Sequence, residues 1–332
     1  MKKYLLPHGT NVYKANLHAH TNISDGVLSP EEVKELYQSH GYSVVAYTDH
    51  DLLIPHGELS DESFLALPGF EAQFNGSNRY PGIPNEKKCH LCFVGGTIQP
   101  CWNEEYAYIG NAKKYRDLVA FDEETSPFVR EYTPECINKM ISEAREKGFF
   151  ITYNHPAWSL EDYEQYMKYE GMHAIEIFNY GTEKLGFQSS APHVYDGILR
   201  KGNKIFAVAA DDNHNRPGID DSFGGFVMIM AEKLDQDSVM QALFHGDFYA
   251  STGPAFHDVY IENNTLFIQC SDVSSICLTT DGRRTKYLHS KSGEMLKEAA
   301  FALDFDYRYF RITVKDPKGN YAYTNAFFKE DL

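Results

Sequence analysis

Four runs read as buried strands, SVVAYTDH, FFITYNH, HAIEIFN and KIFAVAADD, and each ends in histidine, asparagine or aspartate. Between residue 16 and about 250, strand-like runs of this kind alternate with amphipathic helical segments. SPEEVKELYQSHG predicts a helix, with Ser29 as N-cap, Pro30 at the first position and Glu32 completing a capping box. Val33, Leu36 and Tyr37 supply its apolar face and Gly41 ends it. TPECINKMISEAREKG repeats the design, with Ile137, Met140, Ile141 and Ala144 on one face and Gly148 as the stop. Such alternation implies an α/β fold with a parallel sheet, open or closed into a barrel. After GDFYASTGP the texture changes to short strands joined by turns, with Asp281-Gly282 and DPKGN as turn signals. The expected organisation is an α/β unit over residues 1–254 and a small β-sandwich over 255–332. Residues 98–132 form a connection far longer than the usual few residues. EEYAYIGNAKKYRDLVAF within it has room for a helix, as a lid or substrate-binding insertion or as structural decoration.

The residues at the strand ends are unusual in kind. His18 and His20 close the first strand, with Asp25 in the loop behind, and Asp49 and His50 close the second. Glu71 lies in GFEAQF, His90 in KCHLCFVGG and His155 after FFITYN; Glu176 and Asn179 lie in AIEIFN, and Asp211, Asp212 and His214 follow IFAVAA. The carboxyl ends of parallel strands are where barrels and open α/β folds place their active sites. Along a strand His18 and His20 share a face, so both imidazoles reach one ion; Asp212 and His214 have the same spacing. Nine candidate ligands (His18, His20, Asp25, His50, Glu71, His90, His155, Asp212, His214) exceed the needs of one four- to six-coordinate ion. They suit two or three divalent ions with bridging carboxylates, and imidazole with carboxylate suits zinc, manganese or iron. Singly, each has a plainer reading as a hydrogen-bonded structural group; their coincidence on one face is what argues for metal. Histidines 8, 40, 56, 173, 193, 245, 257 and 289 keep the structural reading.

Bulk properties remove other classes. A formal charge of −16 argues against an extended nucleic-acid groove, which needs a basic stripe. It is compatible with a small phosphorylated substrate, because bound divalent ions invert the field of an acidic site. No run approaches the roughly 18 apolar residues of a membrane helix, and MKKYLLPHGTNVY lacks a signal-peptide core, so a cytoplasmic protein is expected. Cys89 and Cys92 form C-x-x-C without the second pair of a zinc ribbon, and on a strand they face opposite ways. A structural role is the expectation for both.

HAHTNISDG, TDHD, FEAQF, NHP and DDNH, in this order, resemble the motifs of the polymerase-and-histidinol-phosphatase (PHP) family. ALFHGDFYASTGP and the trailing β-domain resemble its two-domain branch, which also includes carbamate hydrolases. The resemblance covers essentially the whole chain. It implies a distorted (β/α)7 TIM-like barrel, a trinuclear metal centre and hydrolysis of a phosphomonoester or phosphodiester by a metal-bound hydroxide. The nine residues above fall on the family's ligand positions, and Asp49 falls on its motif aspartate, as a ligand or as an orienter of His50. Asp211 stands where many members carry a serine or other small residue, which adds an acid beside the ligands.

Three other readings compete with a phosphoesterase: a carbamate or carboxyl ester hydrolase using the same cage, an amidohydrolase-type deaminase, and a non-catalytic binding module. No G-x-S-x-G elbow supports a serine nucleophile. Arg216, two residues past His214, is either a clamp for a phosphate's non-bridging oxygens or a surface ion pair with Asp220 or Asp221.

Overall fold

In the computed structural model, which describes residues 2–77, 86–99, 110–119, 121–122, 129–291 and 293–332, local signals act where they stand in the sequence. The Ser29 hydroxyl accepts from Glu32 N and the Glu32 carboxylate accepts from Ser29 N, opening helix Pro30–Ser39. Thr133 caps helix Pro134–Glu146 through Cys136 N. Gly41 and Gly148, just past the two C-caps, take φ of 77° and 81°, a left-handed turn that a side chain disfavours. Val33 and Tyr37 on the first helix, and Ile137, Met140, Ile141 and Ala144 on the second, are buried.

Among the described residues the chain is a mixed α/β structure built on one large sheet of fourteen strands. At one end lie strands Asn11–Ala19, Val44–Tyr47, Leu65–Asn75, Lys88–Val94, Phe150–Tyr153, Ala174–Asn179 and Phe206–Ala210, in that order. The expected all-parallel arrangement holds for four of the six neighbouring pairs in this run. Lys88–Val94 runs antiparallel to both of its neighbours. Its pairing sets Glu71 opposite Cys92 and Gln73 opposite His90. Directly opposed residues project to the same side, so an unforeseen strand direction decides which groups meet Glu71.

Phe206–Ala210 is the last strand on this path. Its outgoing residues meet the end of the first strand: Asp212 N donates to His18 O (3.0 Å) and His20 N to Asn213 O (3.1 Å). Among the described residues no ladder joins the two strands themselves, and Ala19 and Asn213 form an isolated parallel bridge.

On the other side of Asn11–Ala19 the sheet continues through Phe226–Ala231, Phe248–Ser251 and Tyr321–Thr324 to Tyr309–Lys315, Ser275–Thr280 and Thr285–His289. Strands after residue 254 therefore share a sheet with those before it, through pairs such as Ala250 with Tyr323. A second sheet of four strands contains Lys3–Tyr4, Phe256–Glu262, Thr265–Val273 and Leu296–Ala302. Val259, Leu266 and Ile268 from it share a core with Ile276, Leu278, Ile312 and Val314. Arg311 reaches from this region to helix Pro192–Lys201 and pairs in two-pronged fashion with Asp196, Nε to Oδ1 at 2.7 Å and Nη2 to Oδ2 at 2.8 Å.

Of the long 98–132 connection, residues 100–109, 120 and 123–128 lie outside the described residues. The described part holds helix Ala112–Tyr115 and a 3-10 turn at Arg116–Leu118. Ala112 and Val119 pack with Ile23 and Leu52, and Asn111 N donates to Ser24 O (2.6 Å), so this segment braces the loop that carries Asp25. Among the described residues no helix is long and apolar enough to cross a membrane.

Candidate metal centre

His18, His20, His50, His155, Asp212 and His214 stand at or just past the ends of buried strands, whereas Glu71 and His90, expected at strand ends, lie within Leu65–Asn75 and Lys88–Val94. Among the nine expected ligands, His18, His20, His50, Glu71, His90 and His155 are buried, and Asp25, Asp212 and His214 are partly buried beside them. Glu71 is the hub. Its Oε1 lies 3.3 Å from His18 Nε2, 3.1 Å from His90 Nδ1 and 3.3 Å from His155 Nε2. Its Oε2 lies 3.4 Å from His20 Nε2 and 3.1 Å from His50 Nδ1. Asp212 Oδ1 stands 3.2 Å from His18 Nε2 and 3.1 Å from His20 Nε2. A further group gathers around Asp25, with His214 Nε2 at 3.3 Å and His20 Nδ1 and His50 Nε2 each at 3.8 Å.

These separations fit coordination. Metal–ligand bonds of about 2.1 Å place neighbouring ligand atoms about 3.0 Å apart in an octahedron and about 3.4 Å apart in a tetrahedron. His18 Nε2 and His20 Nε2, 3.0 Å apart, with the Glu71 and Asp212 oxygens at 3.1–3.4 Å, fall in that span. Several buried ring nitrogens also lack a hydrogen-bond partner: His20 Nδ1, His50 Nδ1 and His90 Nε2. His50 Nδ1 is instructive, since it stands 3.1 Å from a Glu71 oxygen without hydrogen-bond alignment. Buried polar atoms are ordinarily paired, so orphans converging among carboxylates suit a cation between them. The histidine and carboxylate donors fit divalent ions in three groups, the first two sharing His155: His18, His155 and Asp212; Glu71, His90 and His155; and His20, Asp25, His50 and His214.

The electrostatics agree. Burial alone would lower His18 and His20, but Asp212 and Glu71 outweigh it and hold both imidazoles well above their usual pKa. Burial pushes His50 down to about 3 against the pull of Glu71. Burial would raise Glu71, Asp25 and Asp212, yet the surrounding imidazoles hold all three carboxyls below the ordinary range. Carboxyls held low among imidazoles in this way suit a divalent cation between them.

A surrounding layer fixes the ring orientations. Glu176 accepts from His18 Nδ1 (2.7 Å), His155 N (2.8 Å) and Asn179 Nδ2 (2.8 Å), which leaves His18 Nε2 facing the centre. Asn154 Nδ2 donates to Glu71 Oε1 at 2.7 Å. His155 and Asp212 both sit at positive φ, 26° and 53°. Such strain gathers where function demands a set geometry, and here the bonds from His155 N and Asp212 N hold it.

Two residues expected at the chemistry, Asp49 and Asp211, are placed differently, and Arg216 stands at the cavity with an unexpected partner. Asp49 turns to its own loop, where its carboxylate accepts from Thr21 N (2.8 Å), Thr21 Oγ1 (2.7 Å), Ser24 N (3.1 Å) and Ser24 Oγ (2.6 Å). Asp211 accepts from Phe223 N, Gly224 N, Gly225 N and Tyr37 Oη, each at 2.8 Å. Its burial pushes it up to about 7 against those donors. With four donors apiece, both acids tie loops together and stand outside the ligand groups. Arg216 pairs with neither Asp220 nor Asp221; its Nη2 donates to Asp25 Oδ2 at 2.7 Å. It lines a cavity of about 230 Å³ over the centre, with Lys88, Trp158, Thr182, Leu185 and Ile219.

Strand-end patterning missed Cys92, which joins His18 and Glu71 in a further ligand group, along with Asn154 and Trp158. Trp158 sets its ring edge-on to His90 and His155, with centroids 5.1 and 5.0 Å away. Asn154 and Trp158 stand on either side of His155 in NHPAW, close in sequence to an expected ligand.

No protein-family sequence signature and no curated protein matches the chain. Solved structures do resemble it. One is a two-domain protein from Bacteroides vulgatus containing a predicted PHP-like metal-dependent phosphoesterase, 15% identical over 98% of each chain, with a TM-score of 0.47. Another is a candidate metal-dependent phosphoesterase from Bifidobacterium adolescentis, 15% identical over 69% of this chain and 95% of that one, TM-score 0.39. A third is an amidohydrolase from Chromobacterium violaceum with bound sulfate and no metal, 12% identical over 61% of this chain and 88% of that one, TM-score 0.39. The assignment of the site rests on its own geometry.

Proposed function

We propose that the chain is a metal-dependent phosphoesterase that hydrolyses a small phosphorylated molecule at a di- or trinuclear centre. The observation that carries this reading is the convergence of nine histidine and carboxylate side chains into overlapping ligand groups beneath one cavity. In this reading His18, His20, Glu71 and Asp212 hold one ion, Glu71, His90 and His155 a second, and Asp25, His50 and His214 a third. The strand run ending at Phe206–Ala210 is then a distorted (β/α)7 barrel, and the region 255–332 a sandwich that supports it. Bound divalent ions supply an activated water and neutralise charge on the phosphoryl oxygens.

The chain's own groups do the rest. Arg216 offers a guanidinium that matches paired phosphate oxygens. Trp158, Leu185 and Ile219 give the cavity an apolar wall that keeps bulk water from the reacting group. A volume near 230 Å³ lies below the roughly 300 Å³ at which drug-sized ligand pockets begin, which favours a small substrate.

Elemental analysis of gently purified protein is expected to find two or three transition-metal ions per chain, and a substrate panel to show phosphoester turnover. Fewer than one ion per chain, with no activity on adding manganese, zinc or iron, overturns the reading. Turnover of neutral esters alone moves it to a carbamate or carboxyl ester hydrolase in the same cage.

Arg216→Ala is expected to lower kcat/KM for the phosphoester by about ten- to a hundredfold, the worth of one charge-assisted hydrogen bond. Any slow turnover of a neutral ester should barely change. Equal losses on both substrates would place Arg216 in support of Asp25 and not on the substrate.

A further inference from the structure

Among the described residues Cys92 is the one cysteine that stands with the candidate ligands. It faces Glu71 across an antiparallel pair, so both side chains project to the same side of the sheet. Its sulfur and the ligand atoms of His18 and Glu71 all lie within 4.8 Å of one another. Cys92 is 1% exposed. Asn154 Nδ2 donates both to Glu71 Oε1 at 2.7 Å and to Cys92 Sγ at 3.1 Å. The other end of that amide, Oδ1, is buried without a hydrogen-bond partner, and so is the hydroxyl of Thr152, which faces Cys92 from the next strand. Cys89, three residues earlier, makes a useful contrast. It pairs with Phe74 and belongs to an apolar core cluster. Cys92 also borders an apolar core cluster, with Leu17, Leu67 and Val94, but in addition it meets a carboxylate, an imidazole and an amide.

We infer that Cys92 is a sulfur ligand to the ion held by His18, His20, Glu71 and Asp212, and that it makes this position selective for thiophilic divalent ions. The inference rests on the metal-centre reading above. Thiolate favours zinc, iron(II) and cobalt(II), whereas manganese and magnesium prefer an all-oxygen or oxygen-and-imidazole shell. Binding exchanges the S–H bond for a sulfur–metal bond, and the proton leaves to buffer. The position beside Glu71 thus differs in kind from the group around Asp25, which has no sulfur.

Cobalt reports this directly. Wild-type protein stripped with a chelator and reloaded with cobalt(II) is expected to show a thiolate-to-cobalt charge-transfer band in the near ultraviolet beside the visible ligand-field bands. Cys92→Ser and Cys92→Ala should lose that band and Cys89→Ser keep it. In competition between equal zinc and manganese, Cys92→Ala should reduce the wild-type preference for zinc at one ion per chain by about tenfold or more. Ligand-field bands with no charge-transfer band in wild type overturn sulfur ligation and leave the metal centre standing. A charge-transfer band that persists in a Cys92 variant also overturns it. Failure to bind cobalt at all overturns both readings. Absence of the band from the wild-type spectrum overturns sulfur ligation without any variant, and Cys92→Ser, the smaller change, assigns a band that is present.

Discussion

Glu71→Gln is expected to empty most of the centre and lower phosphoester turnover by more than about a thousandfold, roughly 4 kcal/mol on the barrier. Glutamine keeps the shape and can still accept from Asn154, but it removes the negative charge that His18, His20, His50, His90 and His155 all face. No other carboxylate in the cluster touches as many imidazoles, so the two ions that share Glu71 in the proposed arrangement lose their common anchor. Elemental analysis and steady-state kinetics check the outcome together, with circular dichroism to show that the fold persists. A variant that retains its full metal complement and wild-type kcat would remove Glu71 from the centre.

The largest expected effect on stability lies far from that mouth in sequence. Asp196→Ala leaves the Arg311 guanidinium, only 5% exposed, without its two-pronged partner. Thr313 Oγ1 still accepts from Nη1 at 2.7 Å, but one neutral hydroxyl does not offset a buried charge. Breaking a buried pair in this way costs about 3–5 kcal/mol, whereas replacing both partners with apolar groups restores much of the loss. Urea denaturation of Asp196→Ala and of the double variant Asp196→Ala/Arg311→Met measures both. A loss under about 1 kcal/mol for the single variant would show that water reaches the guanidinium. The pair matters because it joins a strand of the C-terminal region to helix Pro192–Lys201 of the α/β region, where Asn325 also accepts from Ala207 N.

Local signals were legible because they depend on near neighbours. The Ser29–Glu32 capping box and the apolar face of Pro134–Glu146 need only a few residues of context. The strand-end positions of His18, His20 and Asp212 follow from alternation and from the length of each buried run, so the sequence pattern singles them out. The closing β-region was legible as strands but not in its pairing, since the contact between Tyr249 and Thr324 spans most of that region and is chosen by the sheet.

What the sequence determined by itself, then, is a chain of alternating strands and helices with metal-type side chains gathered at strand ends. Tertiary structure decided which of them meet and what each does. The antiparallel run of Lys88–Val94 places Cys92 opposite Glu71, a result of strand direction that no residue within the run encodes. Asp49 and Asp211, chemically suited to catalysis, are consumed by backbone donors from loops that fold back onto them. Arg216 finds Asp25, 191 residues away, in place of the acids beside it in sequence. The physical reason is common to all three. Side-chain period fixes which face of an element a residue occupies, but hydrogen-bond donors and opposite charges compete over the whole molecule, and the winner is whichever partner the packed sheet brings within about 3 Å.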